Sequence, residues 1–107
     1  TRSFMSEVAE RAQRLNEARE LEESADRMEE SVKGLLEMNM TEAMSNAAKG
    51  MPGTSLGKQS YELGVALDAR NREFAETLMA HVRQTREAVA RIRREVAAEE
   101  KAEDVEM

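Results

Sequence analysis

The feature that most constrains this chain is its punctuation. One proline stands in 107 residues, and it stands near the middle. Lys49-Gly50-Met51-Pro52-Gly53 puts glycine where a helix turns left-handed and proline where the next turn cannot continue it. Thr54 or Ser55 can then cap a new helix. Gly50, Met51, Pro52 and Gly53 therefore read as a turn between two long segments.

Both segments carry helical periodicity. In the first, apolar residues fall at Val8, Ala12, Leu15, Ala18, Leu21, Ala25, Met28, Val32 and Leu35, at steps of mostly three and four. From Ala18 the steps are strict heptads, with Ala18, Ala25 and Val32 in one row and Leu21, Met28 and Leu35 in the other. Gly34 interrupts the pattern at a cost of about 1 kcal/mol against alanine and marks a weak or closely packed point. The second segment aligns Leu63, Leu67, Phe74, Leu78, Val82, Val89, Ile92 and Val96, with Asn71 and Thr85 filling polar positions. The pattern fades after Val96, and the glutamate-rich end is expected to fray. The expected fold is all-α: an antiparallel two-helix hairpin with helix 1 over about 3–49, a turn at 50–54 and helix 2 over about 55–102, as one domain. A tight turn there sets a register in which facing residue numbers total near 104. Leu21 then faces the region of Arg83, and Leu35 that of Ala69.

Composition agrees with helix. Charged residues make up 36% and aromatic residues 3%, with no tryptophan, which disfavours a sheet. Charge is blocked along the chain: net -4 over 1–50, +3 over 51–94 and -5 over 95–107. Glu17, Glu20, Glu22 and Glu23 are expected opposite Arg83 and Arg86. A net charge of -6 argues against nucleic acid and anionic membrane as partners. No apolar run approaches the ~20 residues of a membrane span. The N-terminal residues lack the apolar core of a classical signal peptide.

Two helices share one seam, so each large side chain stays partly wet. Full burial of such a side chain yields ~1.5–3 kcal/mol, while ordering one residue costs ~1–2 kcal/mol of backbone entropy. A lone hairpin sits near break-even, and a four-helix assembly doubles the buried faces. The apolar stripe also widens near the turn. Leu36, Met40 and Met44 form a row beside the seam, and Met51, Leu56, Tyr61 and Val65 lie at the same end. Methionine packs adaptably, which suits a contact surface. These seven residues are the expected protein-partner interface, and closing the hairpin end is the plainer role open to them.

Catalytic and metal chemistry finds little support. The single histidine, His81, has no carboxylate at helical spacing and no second histidine or cysteine to complete a metal site. It reads as a half-buried polar residue. Gly57-Lys58 follows glycines, but Gln59 replaces the hydroxyl of a phosphate loop and no strand precedes it. The arginines at 83, 86, 91, 93 and 94 read first as partners for the acidic first helix. No catalytic residue, cofactor or metal ligand is expected, and the chain reads as a non-enzyme.

Length, midway turn and the run Met51-Pro52-Gly53-Thr54-Ser55-Leu56-Gly57, followed by Tyr61, Leu67 and Phe74, resemble the Trp-x-Gly superfamily of small type VII secretion proteins (the early-secreted-antigen-like proteins). Met51 stands where that family has tryptophan. The family's C-terminal Tyr-x-x-x-Asp/Glu export signal is absent: Val65 follows Tyr61 by four. The resemblance implies a helical hairpin that homo- or heterodimerises into a four-helix bundle. It further implies a secretion substrate, or its dimerisation partner, made in the cytoplasm and exported by a non-cleaved signal where it is exported. The other reading is a structural coiled-coil or scaffolding segment of a larger helical protein.

Overall fold

A computed structural model describes residues 3–49 and 54–106. Among them are three helices and no strand: α1 (Phe4–Glu37), α2 (Met40–Ala47) and α3 (Thr54–Glu106). The turn residues Gly50, Met51, Pro52 and Gly53 lie outside the described residues.

α1 opens on Ser3, whose Oγ accepts the Ser6 amide at 3.1 Å and so satisfies one of the first-turn donors. The first helix does not run to Lys49 as expected. It stops at Glu37, and α2 begins afresh at Met40. The reason is local. The buried row Ala18, Ala25, Val32 reaches Asn39 at its next heptad position, where no apolar side chain is available. Asn39 instead caps α2: its Oδ1 accepts the Glu42 amide at 2.9 Å, and its Nδ2 donates to the Glu42 carboxylate at 3.3 Å. That reciprocal arrangement starts a helix rather than continuing one.

The chain divides into two compact units. One joins the chain up to Met28 with the chain from His81 onward; the other is Glu29–Ala80. In the first unit the buried residues are Arg11, Ala18 and Ala25 on α1 and Val82, Val89 and Val96 on α3. Each set is a strict heptad row, so the two segments meet along one seam. Cross-helix pairs match low numbers with high. Arg11 reaches Glu103 at 2.7 Å, Arg14 reaches Glu99 at 2.8 Å, Arg93 reaches Glu22 at 2.6 Å and Arg86 reaches Asp26 at 3.0 Å. The segments therefore run antiparallel within this unit. In the second unit Val32 and Ala75 occupy the same heptad rows, and Gly64 is buried.

Several expectations change here. Arg11 takes the seam position, while Val8 and Leu15 are exposed and Ala12 points outward. The heptad row counted back from Ala18 passes through 11, and the apolar residues before it lie on a neighbouring row. On α3, Ala75 is buried and Phe74 is 57% exposed; Leu63 is 52% exposed. The register also differs. Glu22 pairs with Arg93, about ten residues beyond the region of Arg83. A total of 104 required one helix unbroken to the turn, and the restart at Asn39 removes that constraint. Glu17 and Glu20 are bonded along their own helix, to Gln13 and Asn16. The glutamate-rich end stays helical to Glu106, because Glu95, Glu99 and Glu103 answer Arg14 and Arg11. No helix among the described residues is long and apolar enough to cross a membrane.

Candidate partner interface

Arg11 apart, the buried rows are made of small side chains. Val82 and Val96 are the largest that are fully buried. Alanine and valine let two helical backbones approach closely, but they remove little apolar surface from water. The large apolar side chains stand outside the seam: Leu21, Leu36, Tyr61, Leu63 and Phe74 are exposed, while Met28, Leu35, Leu67, Leu78 and Ile92 are half-buried.

Within Glu29–Ala80 the expected interface residues divide. Leu36 is 56% and Tyr61 54% exposed; Leu56 and Val65 are also exposed. Met40 and Met44 are half-buried, and α2 buries none of its residues fully. Met51 lies outside the described residues. The helical period separates the α3 members. Tyr61 continues the heptad row of Asp68 and Ala75 but is exposed, and Val65, four residues on, turns to one flank of that row, whereas Leu56 and Leu63, seven apart, share the other flank with Leu67 and Phe74. The expected set is therefore two flanks rather than one patch, and Leu63 and Phe74, expected in the seam, are exposed apolar residues as well.

The start of α2 is held by a small constellation from α3. The Asp68 carboxylate accepts the Met40 amide at 2.8 Å, the Thr41 amide at 3.0 Å and the Thr41 hydroxyl at 2.6 Å. One turn earlier, Gly64 lies against the same backbone: a Cβ there would come within 2.5 Å of Thr41 Cα and 2.7 Å of the Met40 oxygen. Only glycine admits this approach. The Thr41 hydroxyl and then the Met40 amide stabilise the charged carboxylate, so the Asp68 pKa lies below its ordinary value despite partial burial. Asn71, one turn further, donates to the Met38 sulfur at 3.7 Å. Together these contacts fix where α2 presents Met40 and Met44. The Asn39–Glu42 helix start was missed by the expectation of one unbroken first helix, although its capping spacing stands in the sequence; the tertiary contacts of Gly64 and Asp68 carry no spacing signal.

The first unit holds a cavity of about 270 Å³ lined by Glu7, Glu10, Arg11, Arg14, Glu99, Ala102 and Glu103. Arg11 and Glu103 pair inside it with most of their side chains buried, and Glu103 Oε1 is a buried oxygen with no hydrogen-bond partner. Glu99, and then Glu95, hold Arg14 further toward its charged form. Among the described residues no group of acidic, histidine or cysteine side chains is placed to hold a metal ion. His81, expected half-buried, is exposed, because Val82 takes the seam position beside it.

Comparison with known proteins adds no relative: no family model, no curated protein and no solved structure matches this chain.

Proposed function

We propose that this chain is a non-catalytic helical binding protein, an antiparallel two-helix hairpin that completes a four-helix bundle with a second helical chain. The observation that carries this reading is the inversion of size between seam and surface. Alanine and valine fill the buried rows except at Arg11, while Leu36, Tyr61, Leu63 and Phe74 are each more than half exposed. Each large apolar side chain gains ~1.5–3 kcal/mol on full burial, and a partner is the remaining source of that burial. The resemblance to small type VII secretion proteins supplies a biological setting: a secretion substrate, or the dimerisation partner of one, made in the cytoplasm.

Sedimentation velocity over a range of concentrations tests the binding reading. A shift from the 12.0 kDa chain to a larger species, alone or on mixing with a helical partner, is expected. A well-folded single chain at every concentration, with no helical partner bound, overturns it. A second reading has its own support. The α3 row Asp68, Ala75, Val82, Val89, Val96, Glu103 keeps a strict seven-residue step, as a scaffolding coiled-coil segment would. In that case the partner helix belongs to the same larger protein.

A further inference from the structure

The binding reading leaves open which face is used and by what, and the inference here rests on that reading. Beside the buried row of α3 runs a second row: Leu56, Ser60, Leu63, Leu67, Arg70 and Phe74. Its steps alternate four and three, so the six side chains hold one helix face over five turns. Leu56, Leu63 and Phe74 are exposed, and Leu67 is half-buried.

This row reads the same in both directions. Reversal preserves its spacing. It also preserves its chemistry, which runs apolar, polar, apolar, apolar, polar, apolar. A contact between two identical surfaces related by a two-fold axis needs that property, because residue i meets j while j meets i. An unrelated helix would not require it.

We propose that this face binds a second copy of the same chain, with the two α3 rows antiparallel about a two-fold axis at the level of Val65. Leu56 then meets Phe74 of the second copy, Leu63 meets its Leu67, and Ser60 meets its Arg70. Each apolar side chain faces an apolar one. The Ser60 hydroxyl accepts from the guanidinium. The two Arg70 charges sit about 15 Å apart along the axis, beyond the ~8 Å screening length at physiological salt.

The chain contains no cysteine, so single cysteines report this geometry directly. Ser60→Cys and Arg70→Cys proteins are mixed and oxidised mildly. Helices packed at 8–10 Å bring facing Cα atoms within the ~7 Å that a disulfide tolerates. The mixture is expected to cross-link at least about tenfold faster than either variant alone. Equal rates overturn the proposal. In parallel, Phe74→Asp is expected to weaken self-association by about a hundredfold with helicity by circular dichroism unchanged. Wild-type dimers indifferent to Phe74→Asp would overturn this face and leave the binding reading standing. A wild-type chain that stays single and binds no helical chain at any concentration removes both.

Discussion

Glycines 34 and 64 show how much a single Cβ decides. At Gly34 an added methyl meets nothing within 4 Å, and the position is helical and exposed. Gly34→Ala is therefore expected to stabilise the chain by about 0.5–1 kcal/mol, through helix propensity and a restricted unfolded state. At Gly64 the same change drives a methyl into the Met40–Thr41 backbone. Overpacking costs of about 1–3 kcal/mol outweigh the propensity gain, so Gly64→Ala is expected to destabilise. Urea titration of the two variants side by side checks the opposite signs. Asp68 adds a pH dependence to the same contact. Its pKa is lowered in the folded chain, so the stability it contributes is present above its ordinary value near 3.8 and is lost as pH falls through the lower folded value. Asp68→Asn is expected to lower the urea midpoint at pH 7 and to flatten the acid limb of midpoint against pH. An unchanged acid limb would assign that limb to other carboxylates.

At the scale of elements, the buried rows and the exposed rows make separable contributions. Val82→Ala removes two methyls from a fully buried position and is expected to cost about 2 kcal/mol. Phe74→Ala, at a site 57% exposed, is expected to cost only a few tenths of a kcal/mol when unfolding is followed on the single chain. Similar losses for both would place Phe74 in the core. Much of this was legible in advance. Ala18, Ala25, Val32, Val82, Val89 and Val96 followed from spacing alone. Ala75 did not, because Phe74 beside it is the more apolar residue and drew the stripe one position off the heptad row. The restart at Asn39 was also legible in principle, since the row that includes Val32 runs out of apolar residues there and Glu42 follows at capping distance. What spacing could not reveal is the docking of Gly64 and Asp68 against α2, which depends on residues from distant parts of the chain meeting in space. Loss of the cap in Asn39→Ala is expected to cost about 1 kcal/mol, with faster amide exchange confined to α2.

For the whole molecule the consequence is thermodynamic. A seam mostly of alanine and valine removes little apolar surface from water, while Leu36, Met38, Tyr61, Leu63 and Phe74 each keep more than half of theirs exposed. The candidate interface was partly visible in the sequence as an excess of apolar residues near the turn. Their division between two flanks of α3 emerged only once the buried row was placed, because the flanks are defined by what lies between them. Stability that depends on covering those flanks must depend on protein concentration, since a partner that binds only the folded chain stabilises it by mass action. Thermal unfolding of the wild-type chain at about 1 μM and about 100 μM measures this directly. Self-association predicts a Tm higher by about 5–10 °C at the greater concentration. The same Tm at both concentrations, with a single cooperative transition, would contradict the claim that the exposed apolar faces are built for a second copy.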